Sequence, residues 1–136
     1  MTAIILYSLY DYADADNDNL ILRWLEDDKI TRRDRAKLNA KLDFLVRMDY
    51  NLALGTKMLA RVYKNVLKLK VHGEVQLRPM LCQGPIDDAS EYTLLAGAVE
   101  TGGRLPESVM IESAKRRGQI LAHKGTKHRC MHERFP

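Results

Sequence analysis

Leu38, Leu42, Leu45 and Val46 stand at i, i+4, i+7 and i+8, the spacing that puts apolar side chains on one face of a helix. Thr31, three residues ahead of Asp34, supplies a start resembling a capping box. The opposite face carries Arg32, Arg33, Arg35, Lys37 and Lys41, so this helix offers both a core stripe and a cationic stripe. Upstream, Leu20, Ile21, Trp24 and Leu25 predict a shorter helix that closes near Asp28, with Asp16, Asn17 or Asp18 available to cap it. Before that, the β-branched and aromatic run from Ala3 to Tyr10 reads as a strand ending at the acidic cluster of residues 11–18. Residues 49–63 carry no clear period, although Gly55 suggests a break.

From Val66 the period falls towards two. Leu67, Leu69 and Val71 alternate with Lys68, Lys70 and His72, and after Gly73 the segment Val75-Gln76-Leu77-Arg78 alternates again. Pro79 offers no ladder N–H, so the strand is bulged or lies at an edge there, and Met80-Leu81-Cys82 resumes it. Gly84-Pro85-Ile86-Asp87-Asp88 reads as a turn, Tyr92 to Val99 as an apolar central strand, and Gly102-Gly103 as its end. Pro106 then opens a final helix with Met110, Ile111, Ala114 and Leu121 inward and Lys115, Arg116 and Arg117 in water. The expected fold is α+β, a small antiparallel sheet packed against two N-terminal helices and one C-terminal helix. Residues 1–121 form the domain and residues 122–136 a basic, His- and Arg-rich tail.

Composition narrows the function classes. With 136 residues and 46% hydrophobic, the chain suffices for one core and not for two. No apolar run approaches the roughly 20 residues of a bilayer span, and the N-terminus shows no signal-peptide pattern. Cys82 and Cys130 lack metal or redox spacing, so a reducing, cytoplasmic setting is expected. The formal charge of +4 is segregated: residues 1–28 hold seven acids against Arg23, a net of −6, which leaves +10 for the rest. A polyanion partner fits that field, as does a solvated basic face with no partner. His128-x-Cys130-x-His132, with His123 upstream, has one-residue gaps unlike usual zinc spacings, so neither metal nor cofactor is expected.

Four stretches carry a family likeness: Gly73-Glu74-Val75-Gln76-Leu77-Arg78, then Tyr92 to Ala98, then Arg104-Leu105-Pro106-Glu107, and Ala114-Lys115-Arg116-Arg117. Together they resemble the RelE/ParE toxin superfamily, in particular its phage-related HigB-like branch, at the level of topology over roughly residues 3–121. The resemblance implies a RelE-like fold and a type II toxin-antitoxin toxin: a ribosome-dependent, metal-independent mRNA endonuclease (mRNA interferase) that inhibits translation. It also implies a cognate antitoxin protein as partner, besides mRNA and the ribosome. A non-cleaving binder on the same fold, either a gyrase inhibitor of ParE type or a phage RNA- or ribosome-binding factor, is the alternative. The oligomeric state is left open.

Metal-free RNA cleavage needs a base for the attacking 2′-hydroxyl, cations for the phosphorane and an acid for the leaving oxygen. Arg78 matches the strand motif and is the first candidate for a phosphate clamp, although it can equally pair with an acid such as Glu100 across the sheet. Lys68, Lys70 and His72 form a row that is either catalytic or the polar side of a half-exposed strand, and Arg104 fills the basic corner. Lys64, Tyr92, Arg116, Arg117 and the helix arginines Arg32, Arg33 and Arg35 complete the expected RNA contacts, with Tyr92 alternatively a core residue. Where the branch carries a lysine pair, this chain has Glu100 and Thr101.

Overall fold

The structure, a computed structural model, describes residues 4–135. It is α+β, with a mixed six-stranded sheet and four helices. In chain order the elements are β1 (Ser8–Tyr12), α1 (Leu20–Leu25), α2 (Arg32–Leu45), α3 (Tyr50–Gly55), β2 (Leu59–Tyr63), β3 (Val66–Leu69), β4 (Val71–His72), β5 (Gln76–Leu77), β6 (Met80–Gln83), β7 (Glu91–Ala96), β8 (Val99–Glu100), α4 (Glu107–Ala122) and β9 (Arg129–Met131). The main sheet runs β2-β3-β6-β7-β1-β9, and β4-β5-β8 form a smaller one.

The sheet is not purely antiparallel as expected, because β1 lies parallel to β7 with Leu9 beside Tyr92 and Asp11 beside Leu94. All the intervening helices and strands make that crossover, while β2-β3 and β6-β7 are antiparallel pairs. Consecutive residues alternate between two cores. Leu81 joins a large cluster with Ile21, Leu25, Leu38, Leu42, Leu45 and Tyr92, whereas Met80 and Cys82 join clusters reached by Val109, Ala114 and Ile120 of α4. Helices therefore cover both faces, which is why β7 is buried along its whole length.

The two helix starts follow local chemistry. Thr31 Oγ1 accepts from Asp34 N at 3.1 Å, as the capping pattern predicts. In α1 the cap is Asn19, whose side chain accepts from the amides of Ile21 and Leu22, and none of the three residues expected. Residues 49–63, unassigned from sequence, fold as α3 and β2, joined through Lys57 in the left-handed region at φ 64°. No helix among the described residues is long and apolar enough to cross a membrane.

Several expected elements shift. The stretch expected as one strand over 66–72 divides into β3 and β4 in different sheets, and the one expected over 92–99 divides into β7 and β8. The first strand begins at Ser8 and runs into the acidic cluster, with Ile4, Ile5 and Leu6 exposed; the expected start at Ala3 lies outside the described residues. Along α4, Ser113 and Ile120 are the buried residues, while Ile111 and Leu121 are 49% and 39% exposed. Arg116 is half-buried because its guanidinium lies 4.7 Å over the Tyr12 ring and donates to the Leu95 carbonyl, which turns that helix face inward. Residues 129–131, expected within a loose tail, form β9 against β1 with Asp11 opposite Cys130.

Gly97 sits under the indole of Trp24, where a Cβ would fall 1.8 Å from a ring atom. Gly97→Ala is expected to lift Trp24 from the sheet and destabilise the chain by about 1–3 kcal/mol, the usual cost of overpacking. Trp24 is the one tryptophan, so a red-shifted native emission together with a lower urea midpoint checks this; an unchanged spectrum would show that the contact is not tight.

Candidate nucleic-acid interface

Arg78, the expected phosphate clamp, is 3% exposed. Its Nη1 donates to the carbonyls of Val71 (3.2 Å) and Leu77 (2.8 Å), and its Nε lies 3.5 Å from Glu100 Oε1, an ion-pair distance too long for a strong hydrogen bond. The same carboxylate oxygen accepts from Lys68 Nζ at 2.9 Å, with both side chains under one-fifth exposed. The Lys68 hydrogen bond holds the Glu100 carboxyl below its ordinary range, with the Arg78 charge assisting against the opposing effect of desolvation. Glu100 thus engages two of the expected catalytic cations and offsets one of their two charges, and truncating Arg78 would disturb the fold as well as any chemistry.

The remaining expected site residues are dispersed. His72 is exposed with its Nδ1 2.7 Å from Gln76 Oε1, and with Lys70 it lines a hollow against α2. Arg104 is exposed on a tight turn closed by reciprocal backbone bonds with Thr101. Tyr92 is fully buried against Tyr7, ring centroids 4.7 Å apart, and burial raises its phenol pKa, so it is a core residue and neither stacks on a base nor supplies an acid. Arg32 and Arg33 are exposed at the start of α2. Arg35 donates to the Leu25 and Ile30 carbonyls and lies over the Phe135 ring, a structural role. Arg116 is likewise engaged with Glu112, Leu95 and Tyr12.

Lys64 and Arg117 do come together. They line a hollow of about 380 Å³ with Arg61 and Tyr63 of β2, Asn65, Tyr50, Leu67, Gln83 and Asp88. Three cations face one acid there, a net lining charge of +2. Val66 and Leu67 are buried at the start of β3, and Asn65 in the left-handed region (φ 59°) closes the turn that carries Lys64 to the rim. Arg117 reaches in from α4; its Nε is buried and has no hydrogen-bond partner among the described residues. Near it, burial pushes the Cys82 thiol up to about 12, while the Arg117 charge acts in the opposite sense. A half-buried guanidinium that makes no ion pair among the described residues, in a hollow of net positive charge, is a seat for an anion, and Tyr63, 44% exposed, adds a ring face and a phenol.

Arg61 and Tyr63 were missed because they fall in the unassigned stretch. The signal was present as Arg61-x-Tyr63-Lys64, a cation and an aromatic at the two-residue spacing of one strand face.

Among the described residues no group of three or more His, Cys, Asp or Glu side chains is placed to hold a metal ion. His132 Nδ1 contacts buried Asp11 at 2.8 Å, Cys130 Sγ approaches the Asp11 carbonyl, and His128 stacks on Tyr12. Compared with known proteins, the chain matches no family model, no curated sequence and no solved structure.

Glu100→Gln is expected to cost about 1–3 kcal/mol at neutral pH by leaving Arg78 buried beside a neutral group. Because the native Glu100 pKa is depressed, its contribution is complete above the ordinary carboxylate range and disappears as pH falls through the native value. Urea titrations of both proteins should therefore converge on acidification; a constant gap would assign the loss to packing.

Proposed function

We propose that this chain is a translation-inhibiting toxin that acts on mRNA at the ribosome, a metal-independent endoribonuclease with a RelE-like fold whose RNA contact is the hollow of Arg61, Tyr63, Lys64 and Arg117. The observation that carries the reading is the half-buried Arg117 side chain, whose buried Nε has no hydrogen-bond partner among the described residues, beside two further cations and a tyrosine. In-line cleavage asks for charge stabilisation on the phosphorane and for proton carriers, and this hollow offers both kinds of group. Arg117 and Lys64 hold the scissile phosphate and Arg61 the neighbouring one, while the Asp88 carboxylate takes the 2′-hydroxyl proton and the Tyr63 phenol gives one to the leaving oxygen. The family likeness supports the reading through element order: a helical pair after β1, the Leu77-Arg78 stretch, the apolar β7, the Arg104-Leu105-Pro106 corner and α4. A cytoplasmic setting and a cognate antitoxin belong to the same reading.

A second reading is favoured by one specific observation. Glu100 engages both Arg78, which matches the family's strand motif, and Lys68 of the alternating row, and so weakens the positive charge expected at the reacting phosphate. In that case the chain binds RNA, the ribosome or gyrase without cutting.

Mapping new 5′ ends on ribosome-bound message in a purified translation system separates these. Wild-type cuts that fall at least tenfold in Arg117→Gln and in Lys64→Ala, with Arg104→Ala close to wild type, are the expected outcome. Ribosome co-sedimentation without cuts would move the assignment to the non-cleaving binder, and neither cuts nor binding would remove RNA. Binding should also weaken steeply as salt rises, since each phosphate contact releases a counterion. Salt-insensitive association would exclude the cationic hollow as the contact.

A further inference from the structure

The face of α2 turned away from the core carries an aromatic that the fold does not use. Leu38, Leu42 and Leu45 point inward, and Phe44 is left 64% exposed. One helical turn before it stands Lys41. Phe44, Met48 and Met58 line a hollow of about 360 Å³ whose other walls are Lys41, Thr56, Lys57, Lys70 and His72. A smaller hollow of about 240 Å³ lies on the other flank of Phe44, against Ala40, Asp43 and Arg47.

The charge arrangement is one-sided. The larger hollow contains three lysines, a histidine and no acid. Among the described residues Lys41, Lys57 and Lys70 make no ion pair, and Asp43 on the far flank is taken by Arg134. The lysines, with Thr56 and His72, surround a phenyl ring and two thioethers. Methionines give a binding floor that adapts to apolar side chains, and an exposed aromatic between two hollows is the form of an interface anchor.

The geometry points to this face as the docking site for an acidic amphipathic segment of a partner protein. Apolar side chains at helical spacing enter the hollows on either side of Phe44, and carboxylates on the flanks meet Lys41, Lys57 and Lys70. RNA is the less suitable occupant, because the thioether and phenyl floor between the lysines suits apolar side chains and offers a phosphate no donor. This inference uses none of the residues of the Arg117 hollow and does not depend on RNA cleavage.

The test uses the full chain and three probes: a helical peptide about 14 residues long, some four turns, with leucines on one face and glutamates elsewhere; the same peptide with lysines for glutamates; and a single-stranded oligouridylate. The glutamate peptide is expected to shift the methyl resonances of Met48 and Met58. Its affinity should fall about tenfold or more in Phe44→Ser and in Lys70→Glu. The lysine peptide should leave the wild type unchanged and gain binding to a Lys41→Glu, Lys70→Glu double variant. Because Phe44 and Lys70 lie outside the core, unchanged Trp24 emission verifies folding of each variant. Three results overturn the proposal: oligouridylate moving these methyls while the glutamate peptide does not, self-association that Phe44→Ser abolishes, or methyls silent to all probes.

Discussion

Asp11, on the strand next to the edge strand β9, is fully buried, and the arrangement of the chain around it follows from the need to satisfy its carboxylate oxygens. Asn19 Nδ2 donates to Oδ2 at 2.8 Å, Glu133 N donates to the same oxygen at 3.1 Å, and His132 Nδ1 meets Oδ1 at 2.8 Å. One side chain thus ties the strand to the residue that caps α1 and to the end of the chain. The backbone of the same residue joins β7 on one side and β9 on the other. A carboxylate there without these donors would carry a desolvation cost comparable to much of the stability of a domain this size. Closing the C-terminal segment onto β1 is therefore a condition of burying the acid, and the acid is what gives that segment a defined place.

Asp34 repeats the device on a smaller scale. It is buried at the start of α2, where its amide is satisfied by Thr31, and its two carboxylate oxygens accept from the amides of Glu74 and Val75. A Cβ on Gly73 would fall 2.0 Å from Asp34 Oδ1, so only glycine allows the β4-β5 turn to close over this carboxylate. Fixing that turn holds Gln76 opposite Glu100 in the small sheet. That register sets Glu100 within reach of both Lys68 and Arg78.

These two acids also explain what could be read in advance. The helices α1, α2 and α4 were legible because their apolar spacing is local, and so was the extended character of residues 66–83 and 92–96, but not the division of the stretches expected over 66–72 and 92–99 between the two sheets. The extent of β1 was not, since a run of acids predicts a turn until partners more than 100 residues away are known. The same holds for β9: nothing within residues 122–136 has a strand period, and its order comes from Asp11, from Arg129 pairing with buried Glu91, and from Arg129 lying 4.0 Å over Tyr10. In α4 the apolar pattern gave the helix and misplaced its rotation, because Arg116 is held inward by Tyr12 and the Leu95 carbonyl. At the site, the pairing of Arg78 with Glu100 was one of two readings open from sequence, whereas the gathering of Arg61, Tyr63, Lys64 and Arg117 depends on a bulge in β2 and a helix lying across the sheet.

The segregation of charge acquires a structural meaning from this. Much of the acidic excess near the N-terminus is spent internally: Asp11 is buried, Asp14 caps the amides of Asp16 and Asp18, and Asp18 pairs with Arg23. The basic excess is spent unevenly. Arg35, Arg78, Arg116 and Arg129 are engaged by carbonyls, carboxylates or rings, so they stiffen the fold and contribute little to the exterior field. Among the described cations without such partners, two separate groups line hollows, one around Arg117 at the end of the sheet and one around Phe44 on α2. A single polyanion lying across a uniform basic surface would need neither the tyrosine at the first nor the methionine floor at the second. Two cationic surfaces with different chemistry are better matched to two different partners, an anion-rich chain at the first and an acidic protein segment at the second.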